Sequence, residues 1–219
     1  MYTCLMETPK NPTSVNHRIR EGLSRIAMAL RIDEWNRSKT SGVNPTQLAI
    51  LDLLGGRQNG LAVKEIAANL GVSQPTATDS IAALERKGFV AKRSVGTDRR
   101  GVNVGLTPDG HSLLEVGEPT QSLAERTVEA LTEHEQEDLL IMLVKMIRHL
   151  QEMDAIPIQR MCASCRYFAP FAHSDAAKPH HCNFVDAAFG QRDLRIDCRE
   201  HEAADPASRA AIWDVFQQG

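Results

Sequence analysis

Residues 73–110 constrain the fold of this chain more than any other stretch. A capped helix runs into a strand, a basic turn, a second strand and another capped helix start. Ser73 suits an N-cap, because its hydroxyl can accept from a first-turn N–H that has no helical partner. Pro75 falls in that first turn, where a missing N–H costs little. Ala77, Ile81 and Leu84 recur at helical spacing and make one apolar face. Gln74, Thr76, Thr78 and Asp79 are short and polar and point elsewhere. Gly88 is placed to end the helix. Phe89-Val90 and Val102-Asn103-Val104 read as strands, and the residues from Ser94 to Gly101 between them form a polar tip rich in turn formers. The order is that of a recognition helix followed by a β-wing, an arrangement that lies on duplex DNA.

Charge agrees with that outline. The chain carries a formal net charge of −3, yet residues 85–100 hold six basic residues (Arg86, Lys87, Lys92, Arg93, Arg99, Arg100) against two acids (Glu85, Asp98), a local +4. A basic island in a mildly acidic chain is an electrostatic footprint for phosphate. The competing reading is a solvated charged hairpin.

With these pieces in place the chain resembles the MarR family of winged helix-turn-helix regulators over about residues 15–150. The resemblance is carried by Gly71, Ser73, Gln74 and Thr76, by Leu84-Glu85-Arg86-Lys87-Gly88, by Asp98-Arg99-Arg100 and by Leu106-Thr107-Pro108-Asp109-Gly110. It implies a homodimer on a pseudo-palindromic operator, with the recognition helix in the major groove and the wing in the minor groove. It also implies a possible small-molecule effector between the dimer helices and the DNA-binding domain. The candidate DNA contacts are Ser73, Gln74, Thr76 and Thr78 on the helix and Arg99 and Arg100 on the wing. Asp98 matches the acid that orients the wing-tip arginine. Asp79 departs from the family, whose members often carry a basic residue there; an acid at that position repels phosphate.

The expected architecture is mainly α with a small β-wing. Residues 1–14 read as a lead-in, 15–156 as the winged-helix and dimerisation domain, and 157–219 as a cysteine-rich tail. A helix is expected from His17 to Arg37, with Ile19, Leu23, Ile26 and Leu30 on one stripe. Asn44-Pro45-Thr46-Gln47 opens a second helix with a capping-box pattern. Val63 to Gly71 forms the brace of the helix-turn-helix. A long helix starts at Thr107-Pro108, with a kink expected near Gly117 and Pro119. Thr132-Glu133-His134-Glu135 caps a last helix carrying Leu139, Leu143, Met146 and Leu150. The stripes on the first and last helices suit either an internal core or a partner chain; the resemblance implies the partner. Hydrophobic residues at 42% and charged residues at 24% are ordinary for a soluble protein. The N-terminus lacks a signal-peptide pattern, and the longest apolar run, Leu139 to Val144, is too short to span a bilayer. A cytoplasmic protein is expected, without membrane contact.

The tail changes character. Residues 161–202 hold four of the five cysteines and four of the eight histidines, spaced Cys162-x2-Cys165-x16-Cys182-x15-Cys198. Cys4 stands apart in the lead-in and has no expected role. A CxxC knuckle plus two distant cysteines supplies four thiolates, enough for a tetrahedral zinc site or an iron–sulphur cluster. A segment with few apolar anchors needs such a staple. Zinc is the commoner partner of an isolated four-cysteine site, and His180 or His181 can stand in for a cysteine. The single knuckle, two widely spaced cysteines and the aromatics Tyr167 and Phe168 resemble the ligand spacing of high-potential iron–sulphur proteins. Those proteins carry an aromatic after the last cysteine, where this chain has Asp197-Cys198-Arg199. Arg166, Arg192, Arg195 and Arg199 lie near the cysteines in sequence, and cations stabilise thiolates. Charge in residues 157–219 is nearly balanced, seven basic against eight acidic, so this unit does not read as a second DNA grip.

Together these features point to a DNA-binding regulator, of repressor type, whose tail reports redox state, iron supply or a reactive small molecule. The alternatives are a regulator answering a small ligand, with a structural zinc tail, and, more distantly, a redox enzyme or electron carrier. No nucleotide loop, Ser/His/Asp arrangement or HExxH helix supports catalysis.

Overall fold

The computed structural model describes residues 14–94, 102–116 and 122–218. α1 (Val15–Ser41) begins at Ser14, whose hydroxyl accepts from the His17 N–H, and runs four residues past the expected Arg37. α2 (Pro45–Leu54) opens with the reciprocal capping box of Asn44 and Gln47. β1 (Leu61–Ala62), α3 (Val63–Leu70), α4 (Gln74–Arg86), β2 (Val90–Ser94) and β3 (Val102–Leu106) complete the winged helix. The strands form an antiparallel sheet in the order β1-β3-β2, with Val90 opposite Leu106 and Leu61 opposite Val104.

Leu48, Ile50, Leu51 and Leu54 of α2 meet Ile66 of α3, Ile81 and Leu84 of α4, and Val90, Val104 and Leu106 of the hairpin in one core. Each fully buried side chain of this kind contributes about 1.5–3 kcal/mol. α2 is the hub of this domain and packs against α3, α4 and β3. At the start of α4 the Ser73 hydroxyl accepts from the Thr76 N–H at 3.2 Å. Ser73→Ala is therefore expected to cost about 1 kcal/mol, read as a lower urea midpoint with an unchanged slope.

The expected single kinked helix after the wing is instead broken. α5 (Pro108–Val116) ends, and α6 (Leu123–Glu129) starts afresh at its own capping box, Ser122 with Glu125. That local cap favours a new helix over a bent continuation. Gly117 and Pro119, the expected kink, lie outside the described residues. α7 (Glu133–Glu152) follows with the Thr132–Glu135 capping box.

The tail is better furnished than its sequence suggests. β4 (Phe168–Ala169), β5 (His180–Cys182) and β6 (Ala187–Phe189) form a second antiparallel sheet in that order, and α8 (Pro206–Gln218) closes the chain. α8 was not anticipated. Its start is fixed by Asp205, whose carboxylate accepts from the Ala207 and Ser208 N–H groups, each at 3.1 Å. Met161, Phe168, Leu194 and Phe216 form a second core, completed by Leu140, Val144 and Ile147 of α7.

α7 therefore presents two faces. Leu140, Val144, Ile147 and Gln151 pack on the tail. One residue around the helix, a rotation of about 100°, the sequence stripe continues outward: Met146 is 42% and Leu150 38% exposed. The α1 stripe is similarly uncovered at Ile19, Leu23, Ile26 and Leu30. No described helix is long and apolar enough to cross a membrane.

Candidate functional site

The N-terminal half of α4 is an exposed polar surface. Ser73, Gln74, Thr76, Thr78 and Asp79 all face solvent, while Ala77, Ile81 and Leu84 on the opposite side are buried. Three of the candidate contacts, Ser73, Thr76 and Thr78, are held locally. The Ser73 and Thr76 hydroxyls lie 2.8 Å apart, and the Thr78 hydroxyl donates to the Gln74 carbonyl at 2.8 Å. The β2–β3 hairpin stands beside this helix. Asp98, Arg99 and Arg100 lie outside the described residues.

Half of the basic island has structural partners. Lys87 donates to the Gly42 carbonyl at 2.7 Å and to Gln47, tying the end of α4 to the α1–α2 turn. Lys92 pairs with Glu85 at 2.7 Å. Arg93 donates to the Leu106 carbonyl at 2.7 Å. Arg86 remains exposed. The net +4 already counts Glu85 against Lys92, and Lys87 and Arg93 keep their charge beside neutral acceptors, so the pairing fixes where these cations point rather than how much charge the face carries.

The four tail cysteines converge. Cys162, Cys165, Cys182 and Cys198 line one cavity of about 270 Å³, and all four are free thiols. The backbone dictates the convergence. A single 3-10 turn at Cys162–Ser164 folds the knuckle, with the Cys165 N–H donating to the Cys162 carbonyl at 2.9 Å. Cys182 ends the central strand of the second sheet, opposite Phe168 and Ala187. Cys198 sits in a loop whose N–H donates to the Arg160 carbonyl at 2.7 Å. Burial pushes the Cys162 thiol up to about 11, opposed by an N–H bond from Arg195 and reinforced by Cys198, Cys165 and Cys182. A bound cation removes that penalty by supplying positive charge where the thiolates form.

The neighbouring arginines divide by task. Arg195 serves the sulphurs: its N–H donates to Cys162 Sγ at 3.3 Å and its guanidinium to Cys198 Sγ at 3.6 Å. Arg166 pairs with Glu202, Arg192 reaches Glu133 on α7, and the stem of Arg199 lies over Gly56. Neither histidine lines the cavity. His180 is fully buried among Phe168, Phe171, Phe189 and Phe216, and that burial lowers its pKa to about 4. His181 contacts His173 and Asp186.

Sequence reasoning missed the residue that joins the two units. Arg160 forms a two-pronged ion pair with Asp197, at 2.6 and 2.8 Å, and donates to the Gly56 carbonyl at 3.2 Å. The Cys198 loop is thereby fastened to the turn at the end of α2. Arg57 beside it has a lowered pKa, chiefly from burial and then from Arg160. A lone arginine between a helix and a knuckle has no periodicity that would single it out.

Comparison with known proteins follows the same division. The MarR family model matches residues 41–101. The chain is 32% identical over 117 residues to the HTH-type transcriptional regulator YkoM of Bacillus subtilis (strain 168), covering 53% of this chain and 75% of that one. It is 30% identical over 138 residues to the transcriptional repressor MprA of Escherichia coli (strain K12), covering 60% and 78%. Among solved structures, the S. aureus MepR–DNA complex is similar at a TM-score of 0.50 and 26% identity, covering 64% of this chain and 100% of MepR. The rest of this chain has no counterpart in MepR.

Proposed function

The chain belongs to the MarR family and is a DNA-binding transcriptional regulator; from that premise we propose that it is a homodimeric repressor whose cysteine site is its input. As a regulator of transcription it acts in the cytoplasm. The relatives are transcriptional regulators, one named as a repressor and one seen with DNA. The uncovered stripes on α1 and α7 support a second copy as the partner that buries them. Two copies then present two α4 helices to successive major-groove segments.

A single observation carries the input reading: one helix serves both units. α7 packs the cysteine unit on one face and leaves the partner stripe on the next. A metal centre that orders the cysteines biases α7, and through it the spacing of the recognition helices. Arg160 offers a second link, from the Cys198 loop to α2. Cys162, Cys165, Cys182 and Cys198 would hold the centre; Arg195 would orient two of the sulphurs.

Two measurements test this function. Arg100→Ala is expected to weaken operator binding by about 1–3 kcal/mol at fixed salt; unchanged affinity would show that the wing makes no contact through Arg100. Operator affinity is also expected to differ between metal-loaded and metal-free protein. Equal affinities would remove the input role, leave the regulator intact, and favour a structural tail with a small-molecule effector.

A further inference from the structure

We propose that the cysteine pocket is built for an iron–sulphur cluster of the cubane class rather than for a single zinc ion. The inference rests on the reading that the cysteine site binds a metal centre, and it names that centre. Size carries the argument. Zinc at about 2.3 Å from each sulphur draws four thiolates to within about 3.8 Å of one another, with no space between them beyond the ion. Here the four cysteines lie on the wall of a cavity of about 270 Å³ that they share with aromatic and charged side chains. That is several times the roughly 30 Å³ share of one liquid water. A partly open space of that size with four thiols on its wall suits a compact body of several metal and sulphide atoms, each cysteine capping one corner.

The walls agree with the size. Phe168, Phe184, Val185 and Phe189 line the same cavity beside the sulphurs. Phe184 and Val185 are 50% and 56% exposed and form the outer rim of that wall. A cluster's stability and potential depend on excluding solvent and on N–H bonds to sulphur. Arg195 supplies such bonds to Cys162 and Cys198. The two carboxylates on the wall are already committed: Asp193 accepts from the Gly190 N–H at 2.9 Å, and Glu200 pairs with Arg195 at 3.4 Å. Net charge does not discriminate, because four thiolates leave either centre with the same charge; the volume of the cavity does.

The test uses the full chain, purified without air or refilled from the metal-free form with ferrous iron and sulphide. Iron, acid-labile sulphide and zinc are then measured with the visible spectrum. The expected result is about four iron and four sulphide per protomer, with broad visible absorption that Cys162→Ala abolishes. Because that variant can misfold, Phe184→Ala on the exposed rim provides the second reading: it keeps all four thiols, and the cluster it takes up should bleach several-fold faster in air. An unchanged bleaching rate counts against the pocket as the cluster's seat. One zinc without sulphide overturns the cluster and leaves the metal-input reading standing. Protein that takes up neither metal overturns both.

Discussion

Gly60→Ala is expected to cost on the order of 3 kcal/mol or more, and DNA binding with it. Gly60 has φ +62°, and a Cβ placed there falls 2.8 Å from the Val104 carbonyl carbon and closer still to its oxygen. Those are backbone atoms of β3, the central strand, which is hydrogen-bonded to β1 on one side and β2 on the other. The strand cannot retreat without breaking ladder bonds, and a carbonyl cannot rotate away as a side chain can. Val104 is itself fully buried in the core that seats α4. Gly71 supplies the internal control. Its φ is the same +62°, but nothing lies within 4 Å of its added Cβ. Gly71→Ala should therefore show only the left-handed penalty of about 1 kcal/mol. Thermal melts of the two variants separate the clash from the backbone conformation. Equal losses would mean that β3 yields.

The contrast between those two glycines shows where the sequence was informative. Gly71 sits between two helices with clear apolar stripes, so its role as a stop was legible. Gly60 precedes a two-residue strand, β1, too short to leave an alternating pattern, and the atom it avoids lies in a strand far along the chain. Caps were legible for the same local reason: Asn44, Ser73 and Thr132 each act within three residues. The Asp205-Pro206 start of α8 carried the same kind of signal, and the density of cysteines nearby obscured it. The charge count did not show which cations are engaged within the fold. Lys87, Lys92 and Arg93 look like phosphate ligands in a list of charges, yet each has a partner in the folded chain. The four cysteines were identifiable as a set. Their aromatic wall and Arg195 were not, because these meet only when β4, β5 and β6 pair and the loop after Leu194 folds back.

Arg160→Ala is expected to disconnect the cysteine site from DNA while leaving the site itself intact. In the unaltered protein, loading and emptying the site should change operator affinity by about 5–150-fold, the ordinary range of coupling between two sites. Arg160 is placed to carry much of that change. Its backbone carbonyl holds the Cys198 N–H, its guanidinium grips Asp197 in the same loop, and one nitrogen reaches the Gly56 carbonyl at the end of α2. α2 in turn packs against the recognition helix. Truncation keeps the backbone bond to Cys198, so metal content should not fall. It removes the tie to α2, and the loaded-to-empty affinity ratio should collapse toward unity. The stability cost should be modest, about 1 kcal/mol, because Asp197 is 65% exposed and is rehydrated when its partner leaves. Arg166→Ala is the matched control. It deletes a pair with Glu202 whose members are 61% and 53% exposed and which makes no link to α2, so the ratio should survive. If the ratio survives Arg160→Ala as well, the signal runs through the shared helix α7 alone.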